Sequence, residues 1–165
     1  MLASFNAGSR VLTPSSSAAL SLGDTDDAAA PAVVRVSADR FVVAHADGGD
    51  VVLSLVSVAS DGSVTLLDSA SHATGGASVG DLALAGLTAG DLVLAYRLGC
   101  GTQARVMVAR TTLDGSAGTL ADTLSAPQAI EAGTSAQRRP RIAVRDFPVG
   151  ATVAWEAGNS IRVRQ

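Results

Sequence analysis

A threefold internal repeat of about 55 residues constrains the fold of this 165-residue chain more than any other feature. Three short segments share one pattern, in which an apolar run ends in alanine followed by a ring-bearing residue: RFVVAH at 40–45, DLVLAY at 91–96 and GATVAW at 150–155. Another apolar run precedes each segment, and a glycine-containing turn with a further apolar run follows it. Short apolar runs separated by turns are typical of β-strands, so the repeat predicts one antiparallel sheet per unit.

Two of the three repeats continue through an Asp-Gly-Ser turn, at 61–63 and at 114–116. Asp-Gly between apolar stretches is a strong hairpin signal, because glycine adopts positive φ without penalty. A weaker fourth strand follows each turn, at 64–67 and 119–121. The sequence therefore predicts four antiparallel strands per repeat and no helix. A sandwich or barrel of about a dozen strands would also fit the turn spacing, but the repeat favours separate sheets.

The third repeat lacks this turn and the fourth strand, because the sequence stops at Gln165. The missing portion is present at the other terminus, where SFNAGSRVLTP at 4–14 contains a turn at 6–9. If Gln165 were joined to Met1, Asn6 would lie 16 residues after Trp155, as Asp61 lies 16 residues after His45. The spacing predicts that the two ends of the chain contribute to one sheet.

The three segments resemble the repeats of bacterial β-propeller proteins, with a P-x-[VI]-x-V run or a relative of it ahead of each and a turn behind. The resemblance implies an all-β propeller with three four-stranded blades per chain, one of them split between the N- and C-termini. The predicted divisions are 1–30 (third and fourth strands of the shared blade), 31–79 (blade 1), 80–138 (blade 2) and 139–165 (first three strands of the shared blade). The chain lacks the Trp-Asp pair of WD40 repeats and the S-x-D-x-G-x-T-W box of sialidases, so the functional residues of those families do not carry over.

Three blades cannot close a ring, since propellers have about four to eight blades. We therefore expect the chain to assemble with itself, most simply as a six-bladed homodimer that removes the exposed sheet edges. The expected assembly contacts are apolar residues of the two terminal segments: Leu2, Phe5, Val11, Leu12, Ile161 and Val163. A nine-bladed trimer, a monomer with frayed ends, and a natural or engineered fragment of a longer propeller remain alternatives.

Composition excludes several classes of function. All twelve basic residues are arginine and the net charge is −3, so a nucleic-acid footprint is not expected. The sequence contains no run of about 18 apolar residues, so no membrane span is expected. No signal peptide is visible, and the compartment stays unknown. Cys100 is the single cysteine, which excludes an intrachain disulfide.

The motifs that suggest catalysis are in the wrong context. Gly76–Gly80 matches G-x-S-x-G, but a strand follows it and both histidines precede Ser78, whereas the hydrolase elbow needs a helix and a later histidine. The G-x-G-x-x-A match at 99–104 also leads into a strand, so no dinucleotide site is expected. The acidic cluster at 23–27 could present carboxylates to Ca²⁺ but lacks the full calcium-loop pattern. No metal or other cofactor is predicted.

These observations predict a non-enzymatic scaffold. The alternative is a lectin-like glycan-binding propeller, in which one ring per blade would pack against a sugar. Its candidate ligand-binding residues are His45, Tyr96 and Trp155, with Arg97 beside them, although packing between blades is the more usual role of such rings. A hydrolase is a third hypothesis, but it would need clustered carboxylates on the inner strands, and these carry almost none.

Overall fold

The computed structural model describes residues 2–6, 11–16, 30–88, 90–114, 119–120, 124–133, 135–145 and 149–165, with only the backbone of the first two ranges. The first sheet contains strands β3 (Ala32–Arg35), β4 (Arg40–Asp47), β5 (Asp50–Val58) and β6 (Val64–His72) in that order. The second contains β7 (Val79–Gly86), β8 (Asp91–Leu98), β9 (Arg105–Asp114) and β10 (Thr119–Leu120), with β11 (Gln128–Ala129) also paired to β9.

The third sheet contains β12 (Gln137–Arg145), β13 (Gly150–Ala157) and β14 (Ser160–Arg164), and β1 (Leu2–Asn6) pairs with β2 (Val11–Ser16) as an N-terminal hairpin. Every pairing is antiparallel, which confirms the predicted all-β class. A single 3₁₀ turn at Gly101–Gln103 is the one helical element in the described residues. No helix in that part of the chain is long and apolar enough to cross a bilayer.

The predicted turn between β5 and β6 forms as the sequence indicates. Gly62 adopts φ 87°, and the Ser63 amide donates to Oδ1 of Asp61 over 2.8 Å. This bond to the ionised carboxylate holds the pKa of Asp61 below its usual value. The corresponding turn after Asp114 and the predicted turn at 6–9 extend outside the described residues.

The three sheets share the register that the repeat predicts. The alanine of each segment pairs with the first strand of its sheet: Ala44 with Ala32, Ala95 with Ala83, and Ala154 with Arg141. The ring-bearing residue follows at the next position and points to the opposite face of its strand, because side chains alternate along a strand. Each sheet therefore has an alanine face and a ring face.

The sheets stack through unlike faces. Ala44 of the first sheet and Tyr96 of the second belong to one buried apolar cluster, and Ala95 of the second sheet and Trp155 of the third belong to another. Because small alanines meet large rings at both junctions, neighbouring sheets pack closely with few aromatic residues. The alanine face of one sheet covers the ring face of the next.

The outer strands depart from the sequence-based expectation. β6 extends to His72, well beyond the predicted 64–67, because it pairs along the whole of β5 across a bulge near Leu55 and Val56. The outer edge of β9 is covered in pieces, by Thr119–Leu120, by Ser125 through hydrogen bonds with Arg110, and by Gln128–Ala129. Most side chains of these strands are exposed, so they carry no apolar alternation to reveal them.

The third sheet has an open edge within the described residues. All five residues of β14 are exposed, including Ile161 at 70% and Val163 at 63%. β14 pairs only with the half of β13 from Val153 to Ala157, whereas β9 pairs with all eight residues of β8. The positions Gly150–Thr152 of β13 therefore lack a third-strand partner among the described residues.

Candidate functional site

The three predicted ring residues lie inside the molecule. His45, Tyr96 and Trp155 are each buried at the same position of the second strand of their sheets. Burial raises the pKa of the Tyr96 hydroxyl, and neither nitrogen of His45 has a hydrogen-bond partner among the described residues. Tyr96 and Trp155 pack between sheets as part of the two apolar clusters. Their role in sugar binding stays a prediction.

Arg97, the fourth predicted residue, belongs to a polar cluster between the second and third sheets. Its Nε donates to Oδ2 of Asp81 over 3.1 Å, and its Nη1 donates to the carbonyl oxygen of Gly99. The same Oδ2 accepts the backbone N–H of Arg139 in the third sheet over 3.2 Å. The Arg97 side chain is only 17% exposed. Through these two bonds, Asp81 both fixes the guanidinium of Arg97 and links the two sheets.

Two equivalent β-bulges form this link. Asp81 and Leu82 together oppose Tyr96, and Arg139 and Pro140 together oppose Trp155. Asp81 has φ 50° and Arg139 has φ 51°, and these are the two non-glycine residues with positive φ in the described residues. Such a conformation costs about 1–2 kcal/mol per residue, because Cβ approaches the following carbonyl oxygen. A bulge re-aims a side chain, here the carboxylate of Asp81 and the guanidinium of Arg139.

A cleft of about 510 Å³ opens at this point, and we call it the arginine cleft. It lies between the start of β7, the loop after β8 and the start of β12, and its lining residues are Asp81, Arg97, Gly101, Thr102, Ala104, Ala136, Gln137, Arg138 and Arg139. Glu156 stands beside it, with one carboxylate oxygen 3.1 Å from Nη1 of Arg139 and the other 3.8 Å from Nε of Arg138. Three arginines therefore meet two carboxylates, which leaves the cluster with one excess positive charge.

A second cleft, of about 480 Å³, lies between the same two sheets at the open edge of the third sheet. Apolar residues such as Val93, Val108 and Val153 line it, together with the ion pair of Asp91 and Arg110, whose atoms are 3.6 Å apart. Arg164 of β14 also lines it and donates to the carbonyl oxygen of Ile130. This cleft runs along Gly150–Thr152 of β13, which pair with β12 but have no third-strand partner among the described residues, so we call it the edge cleft.

The motifs set aside on sequence grounds have the expected surroundings. β7 begins directly after Ser78, and β9 follows Gly99–Gly101 after the short 3₁₀ turn, so both motifs precede a strand. Cys100 is exposed in the loop after β8. No group of three or more histidine, cysteine, aspartate or glutamate residues is placed to hold a metal within the described ranges. The acidic cluster at 23–27 lies outside them.

Sequence reasoning missed Asp81, which accepts hydrogen bonds both from Arg97 and from the backbone amide of Arg139. The signal that could have found it is a comparison of the repeats at the position after the ring: Ala46, Arg97 and Glu156. A charged residue at a position that is alanine in the first repeat marks a local departure from the shared architecture. Of the predicted assembly residues, Ile161 and Val163 lie exposed on β14, and the side chains of Leu2, Phe5, Val11 and Leu12 are outside the described part of the structure.

Comparisons with protein-family models, with curated proteins and with solved structures found no match.

Proposed function

We propose that this chain is a non-enzymatic β-propeller scaffold whose third blade is completed by the N-terminal hairpin of a second copy. The open edge of β13 is the observation that carries the proposal. β14 and β1 have five residues each, which together match the ten residues of β9, the full-length third strand of the second sheet. A third strand assembled from both would cover β13 completely, with β2 as the fourth strand beside it.

The stacking order of the sheets supports the same arrangement. The alanine faces of the first two sheets are each covered by the ring face of the next sheet. The third sheet continues the pattern with Ala154, opposite Val163, and Glu156, opposite Ile161, yet Ile161 and Val163 remain exposed. Apolar surface of this kind on an edge strand favours association, because pairing satisfies the free backbone groups and removes the side chains from water.

Charge also favours a second copy as the occupant of this surface. Residues 137–165 contain six arginines and two acidic residues, Asp146 and Glu156, for a net charge of +4. Residues 1–136 contain six arginines and thirteen acidic residues, for a net charge of −7. The hairpin of residues 1–16 contains Arg10 and no acidic residue, so the complementarity is between the third sheet of one copy and the acidic residues at 24–131 of another.

Light scattering after size exclusion, over a dilution series, tests the proposal. We expect about 33 kDa, twice the mass of the 16.4 kDa chain, and a six-bladed ring has no other subunit count at three blades per chain. A folded monomer at all concentrations would contradict the assembly.

A pair of variants tests the surface. Val163→Asp places a charge on the proposed edge and should yield a folded monomer. Leu67→Asp makes the same kind of change at another exposed apolar residue, on the outer strand of the first sheet, and should leave the dimer intact. Circular dichroism checks that both variants fold. A dimer that survives Val163→Asp, or that is lost equally in both variants, would show that β14 is not the interface.

A further inference from the structure

We propose that the arginine cleft binds a small monovalent organic anion through its carboxylate. The site lies within one chain, between its second and third sheets, so this inference does not depend on the assembly of the ring. The proposed role is binding alone.

The repeat itself shows that Arg97 is not required for packing. Arg97 occupies the position of Ala46, which is buried at the junction of the first and second sheets. That junction forms with alanine, and without a guanidinium, at this position. At the junction of the second and third sheets, the chain holds a largely buried charge, which costs free energy unless it has partners. The arginine is thus an addition to the shared architecture.

Strained backbone at two neighbouring residues holds the Arg97 side chain in place. Asp81 and Arg139 both take left-handed φ, although glycine would adopt it at lower cost. Asp81 gains two bonds in return, to Nε of Arg97 and to the amide of Arg139. Two neighbouring strained residues, joined by a hydrogen bond and both lining one cleft, are a pattern associated with binding sites. The result is a pre-organised guanidinium.

Arg97 also retains unused donors. Its Nε and Nη1 are bonded, but Nη2 has no acceptor among the described residues. Nη2 lies so close to Gly80 that a Cβ at that position would overlap it. The glycine therefore lets the guanidinium lie against the strand, with its Nη2 hydrogens available to a ligand in the cleft that Arg97 lines. A planar guanidinium presents such donors in the geometry that suits a carboxylate.

The charge balance defines the ligand. Arg138 and Arg139 share Glu156, and Arg97 pairs with Asp81, so one positive charge has no counter-charge within the described part of the chain. Arg139 is 64% exposed and can turn from Glu156 towards an anion without breaking a buried contact. A ligand with one carboxylate would neutralise the cluster. The volume of about 510 Å³ admits a molecule of the size of a sugar acid.

Titration calorimetry with glucuronate tests the proposal, with glucose as the neutral control of the same ring size and acetate as the carboxylate alone. We expect glucuronate to bind with a dissociation constant of about 1 mM and glucose not to bind, because the carboxylate carries the recognition. Binding of acetate would show that the carboxylate alone is sufficient. If glucuronate binds and acetate does not, the sugar ring of glucuronate contributes to binding as well. Absence of glucuronate binding, or equal binding of glucose, would overturn the inference.

Two matched variants locate the site. Arg139→Gln should weaken glucuronate binding about tenfold, because one charge-assisted bond is lost at an exposed residue. Arg145→Gln removes an exposed arginine from the same strand but outside the cleft, and binding should change less than about twofold. The NMR signal of the Arg97 Nε–H group should shift on titration. Equal losses in both variants, or an unmoved Arg97 signal, would mean that the anion responds to general charge and not to this cleft.

Discussion

Tyr96 is the single tyrosine of the chain and is 1% exposed, between the first and second sheets. Its ring fills the space that the alanines of the first sheet leave open. Because its surroundings disfavour the phenolate, the folded state holds the proton more tightly than the unfolded state does, and the pKa of Tyr96 is raised. His45 occupies the equivalent position in the first sheet, where its two ring nitrogens are buried without a partner among the described residues, which costs free energy.

The raised pKa of Tyr96 predicts an alkaline limit to stability. The contribution of the neutral phenol is fully present below the pKa of the unfolded state, about 10, and is lost as the pH rises through the folded-state pKa. Between those two values the free energy of unfolding should fall by about 1.4 kcal/mol per pH unit in the wild type.

Tyr96→Phe should remove that slope while keeping the ring. Thermal unfolding followed by circular dichroism, from about pH 8 to about pH 11, would measure both proteins. The phenolate absorbance of the single tyrosine reports its titration directly. If both proteins lose stability with the same slope, then Tyr96 is not the group responsible.

A side-chain hydrogen bond joins the outer strands of the first and second sheets. Oδ2 of Asp68 in β6 accepts the backbone N–H of Leu120 in β10 over 2.7 Å, and Oδ1 accepts the N–H of Ser69. Leu120 is buried within the cluster that joins the first two sheets. Asp68 thus supplies the acceptor for the backbone amide of Leu120, a buried residue in a two-residue strand.

Asp68→Ala should therefore lower the free energy of unfolding by about 1 kcal/mol or more, because the part-buried Leu120 amide would lose its acceptor. Asp68→Asn keeps an acceptor oxygen of the same shape and should lose clearly less. Urea unfolding followed by circular dichroism measures both variants. Equal losses would attribute the effect to the charge of Asp68 and not to the hydrogen bond.

The extent of prediction from sequence differs between elements for a physical reason. β4, β5, β8 and the first half of β9 are largely buried on both faces, so they show apolar runs that are visible in the sequence. β6 and β11 form through backbone pairing with largely exposed side chains, which leave no such run. Hydrophobic pattern therefore finds central strands and underestimates outer ones.

The candidate site was harder to predict than the fold. Arg97 stood out because it follows a buried ring, but its partner Asp81 looks like an ordinary strand start in the sequence. The bulge that turns Asp81 and Arg139 towards each other depends on the registers of two sheets, which no local pattern encodes. The link between them is a long-range consequence of stacking.

At the scale of the whole molecule, the division of charge sets how copies would meet. The arginine-rich third sheet would repel another third sheet and attract the acidic remainder of a second copy. In the proposed six-bladed dimer, the third sheet of each copy therefore meets the acidic part of the other copy, which gives two equivalent interfaces. Salt should screen the electrostatic attraction at both.

We accordingly expect the dissociation constant of the dimer to rise with salt. Analytical ultracentrifugation at about 50 mM and about 500 mM sodium chloride would compare the two states, since the Debye length falls from above 10 Å to well below it. The dimer should weaken at high salt without unfolding, which circular dichroism checks. A dimer that tightens with salt would indicate an interface governed by apolar burial alone.

The contact between Gly80 and Arg97 has a consequence for how this chain can diverge. The two residues form a cross-strand pair, and the guanidinium occupies the space that a Cβ at residue 80 would take. The equivalent pair in the third sheet is Arg138 with Glu156, again a matched combination, of opposite charge. Substitution at either member of such a pair alters what its partner can be, so in descendants of this sequence the two positions are expected to change together.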